Sequence, residues 1–218
     1  MNAKLPGMNL TEAIRARRSV KHYDPEHRLT EDELKHLMSH TLLAPTSFNM
    51  QNWHFVVVTD KDVQAQICAA GWNQSQLKDA SATIVLAGNL KGYMNFERTL
   101  RNAPEDIQKM FTGMIPGFYQ GKEQLERDEA TRSISLAAQN MMLTAKDMGY
   151  DSCPMIGYDP GKVADIVGLP EDHPPLMIVT VGKGIKPAQG RMGLLNLEEV
   201  VSIDRFGNHT LRGELDDA

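Results

Sequence analysis

Three short, unbroken apolar runs set the strongest limit on what this chain can fold into. They are Phe55 to Val58 within "NWHFVVVTD", "ATIVLAGN" at residues 82–89, and "LMIVTVG" at residues 176–182. A strand with one wet face alternates apolar and polar residues, whereas a continuous run needs cover on both faces. The intervening segments are helical in pattern. "TEAIRARRS" follows Asn9, placed as an N-cap with Glu12 closing a capping box, and carries Ile14 inward. Thr30 and Glu33 repeat that signature before "EDELKHLMSHTLLA", where Leu34, Leu37, Met38 and Leu42 recur at helical spacing until Ala44-Pro45. Residues 60–70 read as a third helix, and Asp159-Pro160 caps another that runs through Val167. Residues 123–149 read as a long helix; Gly149 stops it, and its stretch Ile134 to Ala145, apolar nearly all round, reads as the central core. Long helices alternating with short covered strands argue an α+β or α/β sandwich.

Other stretches are less regular. Residues 91–122 read as irregular, with short helical pieces broken by prolines and glycines. The tail, about residues 183–218, is broken by glycine and proline apart from "NLEEVVSI". No linker, repeat or low-complexity stretch divides the 218 residues, so one domain over 1–218 is expected.

A net charge of −5 argues against a general nucleic-acid surface, which makes the basic run "RARRSVKHYDP" at residues 15–25 stand out. Only two cysteines, Cys68 and Cys153, are present, too few for a disulfide scaffold, so reduced thiols in the cytoplasm are expected. The N-terminal "MNAKLPGMNL" has no apolar leader core, and no stretch reaches the roughly 20 apolar residues of a membrane span. The seven histidines are scattered without ligand spacing, so no metal site is expected.

Four stretches carry chemistry. In "RARRSVKHYDP", Arg17, Ser19 and Lys21 lie where a helix unwinds into extended chain, in which alternate residues share a face. A guanidinium, a hydroxyl and an ammonium on one face suit a phosphate monoester; taken alone, the run reads first as a basic helix C-terminus favouring the dipole. "LLAPTSFNMQNWHF" offers Thr46, Ser47, Asn49, Gln51 and Asn52 between a helix and a buried strand. Short amides and hydroxyls there suit the edge of a planar heterocycle, or a loop satisfying its own backbone. "YDSCPMIGYDP" contains Pro154-Met155-Ile156-Gly157, a loop able to lay main-chain N–H groups against a flat ring, or a plain connection. "VGKGIKPAQGR" has Gly182 and Gly184, but no helix opens after them and no third glycine fits a dinucleotide fingerprint.

Taken together, these stretches resemble the nitroreductase family of FMN-dependent oxidoreductases. The carrying residues are Arg17-Arg18-Ser19-Val20-Lys21, then Pro45 through Trp53, then Asn73 ahead of Asp79-Ala80-Ser81, then Pro154 to Gly157, and finally Arg191. Their order fits over about residues 9–201. The resemblance implies a nitroreductase-like α/β/α sandwich with a mostly antiparallel sheet, in an intertwined homodimer with FMN at the interface. It implies that Arg17, Ser19 and Arg191, with Arg18 beside them, hold the phosphate and ribityl chain. Lys21 would lie near the ring's pyrimidine edge and Asn73 at the ring edge. Pro45, Thr46, Ser47 and Asn49, with Gln51 in the same segment, would be lent by the partner subunit. Pro154, Met155, Ile156 and Gly157 would pass over the flavin.

The implied activity is hydride transfer from NADH or NADPH, through FMN, to nitroaromatic, quinone or related small-molecule acceptors by alternating occupancy. The flavin carries the chemistry, so no catalytic side chain is assigned. Residues 91–122 become a variable cover, with Phe118 and Tyr119 as candidate ring-stacking residues or as packing. Dehalogenation, flavin degradation or non-enzymatic flavin binding stand as alternatives on the same fold. The chain departs from the family pattern at Asn52, at Gln189 and at Met155-Ile156.

Overall fold

The computed structural model describes residues 8–208 and Gly213. The chain divides into two compact units, residues 1–187 and residues 188–218.

Among the described residues, four strands form the sheet of the first unit: β1 (Trp53–Val58), β2 (Ala82–Gly88), β3 (Asp151–Met155) and β4 (Pro175–Gly182). Their order is β1-β2-β4-β3, and every neighbouring pair is antiparallel. The helices that accompany them are α1 (Leu10–Ala16), α2 (Glu31–Thr41), α3 (Lys61–Ala70), α4 (Gln76–Asp79), α5 (Glu105–Tyr119), α6 (Glu123–Asp147) and α7 (Pro160–Val167). The period-two alternation of the central strands sorts the core. Ile84, Leu86, Val179 and Val181 face Leu37 of α2 and Ile134, Ala138, Met141 and Ala145 of α6. Val85, Ile178, Cys153 and Met155 face Ile67 of α3, Leu77 just beyond it on α4, and Val163 of α7. The α/β/α sandwich and its antiparallel sheet are therefore present, with β2 buried along its whole length.

The helix ends follow the expected chemistry. Asn9 and Thr30 both close capping boxes, with Glu12 and Glu33. Asp60 caps α3 by accepting from the amides of Asp62 and Val63. Gly149 ends the α6 region at φ +83, in the left-handed region that glycine enters without a Cβ penalty.

Several expectations give way. α1 stops at Ala16, not near Ser19, and buries Ala13 while Ile14 stays 48% exposed. Strand pairing explains the early stop: Val20 donates to the Ser152 carbonyl at 3.1 Å, which draws residues 17–21 out of the helix. α2 ends at Thr41, so Leu42 lies beyond it, exposed. The apolar run of β1 is only half-buried at Phe55 to Val57, because β1 is an edge strand. α6 is one-sided rather than enclosed, leaving Leu136 exposed. Pro154 and Met155, expected in a loop, are instead the last residues of β3.

The largest difference lies in residues 91–122. They contain a 15-residue helix, α5, despite Gly113, Pro116 and Gly117. Proline removes one backbone donor and crowds the preceding turn, but burial on one face outweighs a single interruption. Ile115 and Tyr119, four residues apart, pack with Met50, Tyr93, Phe96 and Leu100 into a separate small core.

In the second unit, α8 (Leu197–Val200) opens on Asn196, whose capping box is completed by Glu199.

Candidate active site

The basic segment sits at one edge of the sheet. Arg17 is the C-cap of α1 in extended conformation, φ −62 and ψ 131. Ser19 then bridges Ser152 of β3 in parallel, and Tyr23 bridges Gly184 in antiparallel. Val20 and Tyr23 point inward, and the Tyr23 hydroxyl meets Thr180 Oγ1 at 3.1 Å. Burial pushes that phenol far above its ordinary range, so it stays neutral.

With Val20 anchored inward, Ser19 and Lys21 face away from the core. Ser19 is held beside β3 by its bridge to Ser152. Burial pushes the neighbouring Cys153 thiol up, while Lys21, the Ser19 hydroxyl and Arg17 act in the opposite direction. That donor set, a guanidinium fork, a hydroxyl and an ammonium, fits a phosphate monoester with a neighbouring electron-rich edge.

The Asn73 turn joins the same edge through β3. α3 ends at Gly71, whose amide donates to the Ile67 carbonyl at 2.8 Å. Trp72 and Asn73 follow at φ 55 and 58, left-handed conformations that cost a bulky residue most. Gln74 Nε2 donates to the Gly157 carbonyl at 2.9 Å and to Gly71 O at 3.1 Å. A Cβ on Gly157 would stand 3.1 Å from the Trp72 ring, so glycine is what lets the indole lie against this backbone. Pro154 and Met155 are strand residues, Ile156 is 78% exposed, and Gly157 begins the turn toward α7.

The polar loop before β1 is elsewhere. Ser47–Asn49 is a single 3-10 turn, with Phe48, Asn49 and Gln51 at φ 52, 54 and 49. Thr46 Oγ1 accepts from the Gln51 amide at 3.0 Å, and Asn49 Nδ2 donates to the Thr99 carbonyl at 2.8 Å. Pro45 is exposed at the loop's entrance. The loop leads directly into β1, at the edge opposite β3. Three strand spacings, about 14 Å, separate those edges. Within one chain, then, Arg17, Ser19 and Lys21 lie on the segment bridged to β3 at Ser152, the Asn73 turn is tied through Gln74 to Gly157 just past the other end of β3, and Pro45 to Gln51 lie at the opposite edge of the sheet. Arg18 Nη1 donates back to the Arg17 carbonyl at 3.0 Å, at the foot of α1. Arg191 belongs to the second unit.

Tyr119 is 2% exposed and stacks on Tyr93, with ring centroids 6.1 Å apart, while Phe118 beside it is exposed. Cys153, expected as a reduced thiol, is free and buried in the core beside the basic segment. Sequence reasoning missed Trp72, which rests on Gly157; its signal was the adjacency of Trp72 to Asn73. A cavity of about 620 Å³ lies apart from the residues read as cofactor contacts, lined by Lys91, Glu126, Arg127 and Asp172 among others. In it, Lys91 pairs with the buried Glu126 carboxylate at 2.6 Å. Among the described residues no cluster of His, Cys, Asp or Glu is arranged to hold a metal. No described helix is long and apolar enough to cross a membrane.

A covered antiparallel sheet with a cationic, hydroxyl-bearing segment pinned to its edge defines an α/β/α sandwich with a candidate anion-binding edge. Comparison gives the particular family. The nitroreductase family profile matches residues 14–183. Protein DrgA of Synechocystis sp. is 46% identical over 185 residues, covering 84% of this chain and 88% of its own. YodC of Bacillus subtilis, named among NAD(P)H nitroreductases, is 33% identical and covers 83% of this chain and 92% of its own. A crystal structure from Exiguobacterium sibiricum, a nitroreductase-type protein in complex with FMN, superposes with a TM-score of 0.84 at 25% identity, covering 92% and 99%. The chain belongs to the nitroreductase family.

Proposed function

We propose that this chain is an FMN-dependent oxidoreductase that takes hydride from NADH or NADPH and reduces a small-molecule acceptor such as a nitroaromatic or a quinone. It works as a homodimer, in the cytoplasm, with the cofactor between subunits. One observation carries the reading: among the residues matched to FMN binding, Arg17, Ser19 and Lys21 lie on the segment bridged to edge strand β3, and Pro45 to Gln51 lead into the opposite edge strand, β1. Two chains arranged about a two-fold axis bring the β3 edge of one to the β1 edge of the other, and each site is then completed by its partner.

FMN, when bound, supplies the hydride and electron transfer. The chain's residues hold and tune it. Arg17 and Ser19 hold the phosphate through charge-assisted hydrogen bonds, a role that the family resemblance also gives to Arg191. Lys21 places an ammonium where negative charge builds on reduction, which favours the reduced state. Asn73 and the main chain of Ile156 and Gly157 orient the ring edge. Thr46, Ser47 and Asn49 reach in from the partner. No nucleophile or general base is required of the protein, so donor and acceptor occupy the same face in turn.

Purified protein is expected to be yellow, and anaerobic NADH or NADPH is expected to bleach it. Steady-state oxidation with a nitroaromatic and a quinone then tests the acceptor class. A colourless preparation that takes up no added FMN sinks the reading. Bound flavin that neither nucleotide can bleach points to a non-enzymatic flavin protein instead.

A further inference from the structure

The loop proposed to reach the partner's cofactor is held by the cover region of its own chain. Phe48 stands at φ 52, in the left-handed region that strains a bulky residue. Its ring is boxed edge-on by Phe111 at 5.2 Å, Phe118 at 6.3 Å and Tyr119 at 6.4 Å between centroids. Asn49 is tied to Thr99. A polar link from α5 to the loop has a defined direction: Tyr119 Oη donates to Ser47 Oγ at 3.0 Å. A serine hydroxyl has one proton and two lone pairs. With a lone pair already engaged by Tyr119, its proton is directed elsewhere. Burial pushes the Tyr119 phenol up, so it keeps the proton that this bond uses.

We propose that Tyr119 is a positioning residue for the cofactor, fixing the Ser47 hydroxyl as a hydrogen-bond donor toward the flavin nucleotide bound with the partner subunit. Its place in the small core with Tyr93, Phe96 and Ile115 makes α5 and the loop one packed body. The cover region of each subunit thereby sets cofactor retention in the other. This rests on the reading that Ser47 contacts FMN.

The test uses holoenzyme and measures FMN release on dilution, through the fluorescence of free flavin. Tyr119→Phe keeps the ring and removes one hydrogen bond, and about three- to tenfold weaker retention is expected. Ser47→Ala is expected to weaken retention at least as much. The double variant should be no weaker than Ser47→Ala alone, a non-additivity that a purely structural tyrosine does not give. Retention by Tyr119→Phe equal to wild type, or losses that multiply in the double variant, overturns the proposal. Arg17→Ala separates the two levels. If it loosens FMN while Tyr119→Phe does not, only the role of Tyr119 falls. If neither does, the cofactor assignment falls with it.

Discussion

Arg17 leaves α1 in extended conformation, and this is what turns a basic helix end into a possible grip. Removing its guanidinium takes away a charge-assisted contact worth roughly 1.5–3 kcal/mol. Arg17→Ala is therefore expected to weaken FMN binding by about one to two orders of magnitude, read by flavin titration; unchanged affinity contradicts the placement. Lys21 works differently. On the proposed placement its ammonium would favour the reduced, anionic flavin, so Lys21→Ala is expected to lower the flavin potential more than it loosens the phosphate, and a potentiometric titration decides. At this scale the sequence was readable where spacing alone determines neighbours. Val20 packs inward between the exposed Ser19 and Lys21, as alternation along extended chain requires. The bond from Tyr119 to Ser47 was not readable, because 72 residues separate its partners and no local pattern links them. The contact of Trp72 with Gly157 was hidden for the same reason.

Thr30 and Glu33 show how an element boundary responds to pH. Thr30 Oγ1 accepts from the Glu33 amide at 3.2 Å, and the Thr30 amide donates to Glu33 Oε2 at 2.7 Å. The Tyr150 hydroxyl adds a bond to Glu33 Oε1 at 2.6 Å. Burial raises the Glu33 pKa, but these hydrogen bonds outweigh it and hold the carboxyl below its ordinary value. A depressed carboxylate stabilises the fold above its unfolded pKa, about 4.3, and loses that contribution as pH falls through the lower folded value. The stability gap between wild type and Glu33→Gln should thus be full near neutrality and close in acid. Thermal melts across that range check it; a gap that widens in acid contradicts the sign. Thr30→Ala should cost about 1 kcal/mol at neutral pH. Both capping boxes were legible because their geometry is local. β3 was not, since "DSCPM" has no apolar run and Pro154 discourages a central strand; the edge position is what admits it. α5 was obscured by Gly113, Pro116 and Gly117, and only the row Ile115 and Tyr119, buried against residues far away in sequence, makes it a helix.

At the scale of the molecule, some of the exposed apolar side chains fall on elements that pack together. Leu10 and Ile14 on α1, Leu42 and Leu43 after α2, and Leu136 on α6 all remain at least 46% exposed. α1 and α2 both pack against α6, so these residues belong to neighbouring elements. Asn140 Nδ2 reaches the His40 carbonyl at 3.5 Å, one turn along α6 from Leu136. Apolar surface of this kind marks a contact with another molecule more often than with water. A second copy of the chain is the occupant that would also account for the division, between opposite sheet edges, of residues proposed to hold the cofactor. Wild-type protein is accordingly expected to run in solution at twice the 24.3 kDa chain mass. Leu136→Glu places a charge in that surface while leaving Arg17, Ser19 and Lys21 untouched. If the cofactor is shared, this variant should shift toward single chains and release FMN together, in proportion, as measured by light scattering with simultaneous flavin absorbance. A single-chain species that keeps its flavin would show that one subunit suffices, and the division of residues between β1 and β3 would then need a different cause.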